Sequence, residues 1–168
     1  DNKEDKLIKK QIKKIDNIVE QMLFYARSDS VEKDYFVKKV LLEDVVHTAI
    51  MNYMDSLIQK KISLDVYNLE NYVYIDEKWI TFIICQVLQN SIKYLNKPEK
   101  VIKIHSENNK NNVVLVIEDN GEGILDHDLP RVFEYGFTGA DRQKQYSTGI
   151  GLYLCKKLCN KMNLDIKI

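Results

Sequence analysis

The chain has 168 residues, 45% of them apolar and 30% charged, which allows a hydrophobic core and excludes a disordered segment. Basic and acidic residues balance at 25 each, so nothing in the net charge calls for nucleic acid or an anionic membrane surface. No apolar run approaches the ~20 residues that span a bilayer, and no signal-peptide pattern opens the chain. As given, it is expected to be soluble. Cys85, Cys155 and Cys159 fall on apolar helical faces. An odd count without paired spacing predicts buried free thiols in a reducing compartment. Cys155 and Cys159 lie four apart, but no histidine or further cysteine completes a metal site, so both are expected to pack in a core.

In chain order, residues 1–30 read as one long helix ending near Ser28-Asp29-Ser30. Ile8, Ile12, Ile15, Val19, Met22 and Ala26 alternate steps of four and three, the seam of a coiled coil or bundle. A lone helix cannot bury such a stripe, so it is expected to pack on another copy, on the following domain or on a helix outside this chain. Residues 31–168 then mix helices and strands. Asp34 to Val40 reads as an edge strand, and Glu43 to about Lys60 as a helix with Val45, Val46, Ala49, Ile50, Met54, Leu57 and Ile58 inward. Ile62 to Val66 and Tyr72 to Ile75 read as strands. Asp76 is placed to cap a helix whose Trp79, Phe82, Ile83, Val87 and Leu88 face the core. Val101 to Ser106 and Val113 to Glu118 form a hairpin joined through Asn108 to Asn112. Residues 125–148 are polar and rich in turn formers, and are expected to form a mobile lid. Ile150 to Met162 is the last helix, and Leu164 to Ile168 begins a further strand. Repeats and low-complexity tracts are absent.

Chemistry concentrates in a few stretches. In Val113-Val114-Leu115-Val116-Ile117-Glu118-Asp119-Asn120-Gly121-Glu122-Gly123-Ile124, a five-residue apolar run reads as a buried strand that delivers Asp119, still partly buried, to its edge. Gly121 and Gly123 let the backbone turn and leave room for something to approach. An acid so held suits a ligand amine, such as the exocyclic amino group of adenine. The same letters also describe a plain strand ending in an Asp-Asn-Gly turn, and one motif does not separate the two. Upstream, Gln86, Asn90 and Lys93 or Tyr94 share one face of a helix, which taken alone is a solvated patch. Downstream, Thr148-Gly149-Ile150-Gly151-Leu152 places paired glycines before an apolar helix, with Phe133-Glu134-Tyr135-Gly136-Phe137-Thr138-Gly139 in between.

In this order the stretches resemble the N, G1, F and G2 boxes of the Bergerat-fold ATP-binding superfamily, which includes gyrase, Hsp90, MutL and the sensor histidine kinases. The resemblance runs from about Leu42 to the end. It implies an α+β fold: a two-layer α/β sandwich, a mixed sheet with helices on one face, preceded by a long bundle-type helix. It implies ATP and Mg²⁺ as cofactors. Asp119 would take the adenine amino group, and Gly123 would let the base lie close to the backbone, with Gly121 and Ile124 in the same nucleotide-binding set. Asn90 would ligate Mg²⁺, an oxygen donor suited to a hard cation. Lys93 would contact phosphate, and Tyr94 would pack near ribose or base. The Gly149-Ile150-Gly151 amides would donate to phosphate at a helix N-terminus, with Thr148 adding a hydroxyl. Phe133, Gly139 and Leu152 belong to the same set. Arg131 is either a partner for the γ-phosphate or a lid acid, or a solvated arginine. Gln86 is at most accessory.

Within the superfamily, gyrase, MutL and Hsp90 use a glutamate where this chain has Gln86, a poor general base. That disfavours a hydrolase, and the intact boxes disfavour a degenerate scaffold. The heptad helix favours a histidine kinase over an anti-sigma serine kinase. In histidine kinases the ATP domain follows a helical hairpin that dimerises into a four-helix bundle. Residues 1–30 resemble its second helix, and residues 31–168 the catalytic domain, shorter at its end than the family's usual further strand or hairpin. The phospho-acceptor histidine would lie on a first helix outside this chain. His127-Asp128 copies a His-acid pair but sits in the lid before Pro130; His47 has no following acid, and His105 is in a strand. None reads as the acceptor. The cluster Arg131 to Gly139 with Ser147 to Leu154 resembles the membrane-embedded antimicrobial-peptide sensors of Gram-positive bacteria. The resemblance thus implies the cytoplasmic portion of a cell-membrane receptor. It would be homodimeric through its helix and partnered by a response regulator, and it would touch the membrane only through segments outside this chain.

Overall fold

The computed structural model describes residues 3–28, 35–109, 112–139 and 148–168. Expectations that rest on Asp29, Ser30, Asp34, Ser147 and most of the Gly139–Thr148 connection lie outside the described residues. The chain divides into two compact units: Tyr35–Pro130, and a second made from Asp1–Asp34 with Arg131–Ile168.

In Tyr35–Pro130 the elements are β1 (Lys38–Leu41), α2 (Leu42–Met51), α3 (Met54–Lys60), β2 (Ile62–Tyr67), β3 (Tyr72–Ile75), α4 (Glu77–Tyr94), β4 (Lys100–Asn109) and β5 (Asn112–Asp119). Strands β2 and β4 pair in parallel and β4 and β5 antiparallel, giving a mixed three-stranded sheet; β1 and β3 form a separate antiparallel pair. Alternation along β4 turns Ile102 and Ile104 into the core, where they meet Val45, Val46 and Ala49 of α2 and Leu88 and Ile92 of α4. Asp76 starts α4 as expected: its buried carboxylate accepts from Lys78 N at 3.0 Å and Trp79 N at 3.3 Å. The same carboxylate accepts from Phe36 N at 2.7 Å, fixing the approach to β1.

Three expectations need correction here. The helix from Glu43 to Lys60 is broken at Asn52–Tyr53, where the Tyr53 amide bonds back to Ile50 O at 2.9 Å. The break resets the helical phase, so Leu57 stays buried while Ile58 is 67% exposed. The asparagine-rich segment is ladder rather than loop for most of its length, with Asn108 opposite Val113 and Asn109 opposite Asn112. The apolar run of β5 is not a buried strand. β5 lies at the edge of its sheet, where Leu115 and Ile117 pack inward and Val113 and Val114 stay exposed.

The second unit holds α1 (Lys3–Ser28) and α5 (Gly151–Lys161), which pack on each other. Leu154, Cys155, Leu158, Cys159 and Met162 are its buried face. All three cysteines are buried and none is in a disulfide. Burial pushes the Cys159 thiol up to about 11 and Cys155 higher still. Along α1 the predicted seam is open to solvent: Ile8, Ile12, Ile15, Val19 and Met22 are all exposed. Leu164–Ile168 does not enter a sheet among the described residues. Asn163 adopts a left-handed conformation and the Leu164 amide bonds back to Cys159 O at 2.9 Å, turning the chain onto its own helix; Lys156 also lies 3.5 Å from Asp165. Among the described residues no helix is long and apolar enough to cross a membrane.

Candidate functional site

In Tyr35–Pro130 the candidate residues gather where the end of α4 meets the end of β5. Gln86 is buried, so this helical face is less solvated than its spacing suggests. One turn on, Asn90 is half-buried and its side-chain amide has no hydrogen-bond partner among the described residues. Lys93 follows, its ammonium 3.2 Å from the Tyr94 hydroxyl and 4.8 Å from the centre of that ring. Across from them, β5 ends at the ladder pair Ile102–Asp119. Asp119 is exposed rather than partly buried, because it closes an edge strand with one open face. Its Oδ1 accepts from Gly121 N at 2.9 Å; Oδ2 has no partner among the described residues.

The two glycines differ. A Cβ on Gly121 would fall 2.7 Å from Asp119 Oδ1 and 2.9 Å from Tyr94 O, so this turn is packed directly on the end of α4. The contact is sewn by Glu122 N to Tyr94 O at 3.4 Å and Asn96 Nδ2 to Glu122 Oε1 at 2.9 Å. Gly123 has a φ of +73° and nothing within 4 Å of a built Cβ. It is required by conformation, and the space above it is open. Ile124 follows, exposed. A carboxylate oxygen, an unpaired amide and an ammonium beside an open glycine fit a nucleotide: an acceptor for a base amine, a hard oxygen for Mg²⁺ and a cation for phosphate.

In the unit made by the chain ends, Gly149 and Gly136 meet backbone to backbone. A Cβ on Gly149, whose φ is +67°, would lie 2.4 Å from the Gly136 carbonyl carbon, and Gly136 N donates to Gly149 O at 3.0 Å. The segment carrying Phe133 and Gly139 is thereby tied to the start of α5. Gly139 also has a positive φ, and Phe133 is half-buried with the Lys156 ammonium 5.7 Å from its ring. Arg131 bonds Glu134 through Nε at 3.0 Å and lies 4.6 Å from the Phe137 ring centre, so its ground-state partner is an acid of its own segment. Helix α5 has Ile150 at its N-cap and no side-chain cap, leaving Gly151 and Leu152 in a first turn whose amides point out of the helix end. The Ile150 side chain is buried.

The Thr148 hydroxyl is already engaged within its own unit. Its Oγ1 donates to Gln21 Oε1 of α1 at 3.1 Å and accepts from Ile150 N at 3.4 Å. Gln21 and its neighbour Tyr25, whose ring stands 6.3 Å from Tyr135, were not singled out by the sequence. Tyr135 in turn meets Tyr153 edge-on at 5.2 Å. The available signal was a second stripe on α1, Gln21, Tyr25 and Ser28, at spacings of four and three beside the apolar seam. Asn96, Asn120 and Glu122 were also missed.

This α+β fold, with an acid in a glycine turn facing an Asn-bearing helix, is that of the Bergerat ATP-binding class. Residues 75–168 match the model of the histidine kinase-, DNA gyrase B-, and HSP90-like ATPase family, and the chain belongs to that family. The sensor protein BceS of Halalkalibacterium halodurans is 36% identical over 100% of this chain and 51% of its own length. The sensor histidine kinase YxdK of Bacillus subtilis is 32% identical over 96% and 50%, and GraS of Staphylococcus aureus strain N315 is 34% identical over 92% and 45%. The chain thus spans about half the length of these relatives. Among solved structures, the Acinetobacter baumannii histidine kinase AdeS superposes with a TM-score of 0.69 at 22% identity, covering 92% of this chain and 71% of that one. The catalytic domain of histidine kinase ThkA gives 0.63 at 20%, covering 75% and 81%. The fold is that of histidine kinase catalytic domains, and the relatives matched by sequence are sensor kinases; the comparisons do not favour the gyrase-type, anti-sigma or scaffold alternatives.

Proposed function

We propose that this chain is the nucleotide-handling part of a two-component sensor kinase and passes the γ-phosphoryl group of Mg·ATP to a histidine on another helix. The observation that carries the reading is Asp119: exposed, with one oxygen held by the Gly121 amide and the other free for the adenine amine. Asn90, with its unpaired amide, is the residue to hold Mg²⁺, which when bound would neutralise phosphate charge. Lys93 contacts phosphate after leaving the Tyr94 hydroxyl. The amides of Gly149 to Gly151 and the Thr148 hydroxyl serve phosphate oxygens, Thr148 by exchanging Gln21 for the ligand. Tyr94, Gly121, Gly123, Ile124, Phe133, Gly139 and Leu152 shape the surroundings. Phosphoryl transfer depends on positioning and electrostatics more than on covalent chemistry by the protein. Buried Gln86 offers no base to activate water, which favours transfer over hydrolysis.

In the whole receptor, residues 1–30 form the second helix of the dimerisation hairpin, and residues 31–168 the catalytic domain. A response regulator then takes the phosphoryl group from the acceptor histidine. This part stays on the cytoplasmic side of the cell membrane, reached through segments outside the chain. The resemblance of the Arg131–Gly139 and Ser147–Leu154 stretches to membrane-embedded antimicrobial-peptide sensors supports a peptide-sensing receptor.

The test is calorimetric. Asp119→Asn keeps Oδ1 for Gly121 but removes the charge, and bonds to charged groups contribute roughly 1.5–3 kcal/mol, so ATP affinity should fall at least about tenfold. Equal ATP affinity in variant and wild type would remove Asp119 from the site.

A further inference from the structure

Asn120 stands between the acid and its glycine, and its side-chain hydrogen bonds among the described residues are to main chain. The β4–β5 ladder ends at Ile102–Asp119. One step further the ladder would pair residue 120 with Val101, yet here the backbone must leave the sheet to turn at Gly121. Asn120 completes that step with its side chain. Its own amide donates to Val101 O at 3.3 Å, its Oδ1 accepts from Val101 N at 2.9 Å, and its Nδ2 donates to Glu99 O at 3.0 Å. A primary amide carries the donor and acceptor of a peptide group, so it can replace a ladder partner while freeing the chain to turn. Asp119 is then fixed from three directions: the ladder before it, the Asn120 clamp after it and the Gly121 amide on Oδ1.

We infer that Asn120 is a positioning residue that sets the direction of the free Asp119 oxygen, and through it the preference for adenine, without touching the nucleotide. Val, Ser or Asp at this position cannot make both bonds: Asp supplies the acceptor for Val101 N but sets a charged oxygen against the Glu99 carbonyl. The inference rests on Asp119 being the adenine acceptor. It therefore concerns selectivity, which loss of stability alone does not alter in the molecules that remain folded.

The experiment measures dissociation constants for Mg·ATP and Mg·ITP, whose base carries a carbonyl in place of the amino group. It uses the full chain as wild type, Asn120→Ala, Asn120→Asp, Asp119→Asn and the Asp119→Asn/Asn120→Ala double variant. Wild type should prefer ATP, and Asp119→Asn should erase roughly tenfold of that preference. Both Asn120 variants should lose most of the same preference, chiefly by weakening ATP, and Asn120→Ala should remove no more in the Asp119→Asn background. If Asn120→Ala does not fold, Asn120→Asp carries the comparison. Equal weakening of ATP and ITP, an unchanged ratio, or additive losses in the double variant would overturn the inference while leaving Asp119 in place. If Asp119→Asn keeps the wild-type ratio, the reading of Asp119 fails and this inference falls with it.

Discussion

Gly121 and Gly123 stand two apart in one turn and answer to different constraints. The sequence marks both as places where a backbone can turn, but not which is filled and which is open. That depends on Tyr94 O, whose approach to Gly121 no local pattern encodes. The exposure of Asp119 was hidden for a related reason: five apolar residues look the same in a central strand and in an edge strand. By contrast, the Asp76 cap was legible because its partners are two and three residues away. Gly121→Ala should therefore destabilise the ligand-free chain by roughly 1–3 kcal/mol, since its methyl meets main chain that cannot swing aside. Gly123→Ala should cost about 1–2 kcal/mol through its left-handed φ alone. Denaturant titrations compare the two. A Gly121→Ala variant as stable as wild type would mean that the end of α4 yields to the turn.

At the scale of elements, α1 shows two faces of which one was readable. The seam of Ile8, Ile12, Ile15, Val19 and Met22 announces itself by four-three spacing, and it is exposed. The Gln21, Tyr25 and Ser28 stripe is polar at two of its three positions, so hydrophobic patterning passes over it, although Gln21 and Ser28 are buried. The break between α2 and α3 escaped for the converse reason: Asn52 and Tyr53 carry no helix-breaking residue, and only packing reveals the reset phase. Helices gain most of their stability from a packed face. An open seam of this length is expected to find a partner, and a second copy is always present. Sedimentation should show concentration-dependent association of the chain, and Ile12→Ser with Ile15→Ser should raise its dissociation constant at least about tenfold, given ~1.5–3 kcal/mol per fully buried aliphatic side chain. ATP affinity should not move. Unchanged association in the double variant would assign the seam to some other helix.

For the whole molecule, the order of the boxes made the α+β fold and the nucleotide class legible, because four spaced motifs constrain one another where one does not. The division into two units was not legible, since it joins the first residues to the last, and neither was the turned-back tail at Leu164–Ile168. The same view of the whole decides where a phosphoryl group can go. His47 is exposed on α2 but has no acid after it. His105 is held in β4, its side chain only 12% exposed and stacked at 4.8 Å on Tyr67. His127 is the sharpest rival: 73% exposed, with Nε2 3.6 Å from Asp128. It lies in a turn, not on a helix, so it has no bundle to carry it to a bound γ-phosphate. A nucleophile contributes only when held in a near-attack geometry. The chain should accordingly bind Mg·ATP, form no acid-labile phosphate on itself and release ADP slowly, Gln86 being a poor base. When a helix bearing a His-acid pair is supplied in a segment able to pair with the α1 seam, that helix should be labelled, and polar replacements at Ile8, Ile12, Ile15 and Val19 should abolish the labelling without weakening ATP. Radiolabel from γ-labelled ATP decides the matter. Label on the chain alone that disappears in His127→Ala would make His127 the acceptor and its turn, not a bundle helix, the place of transfer.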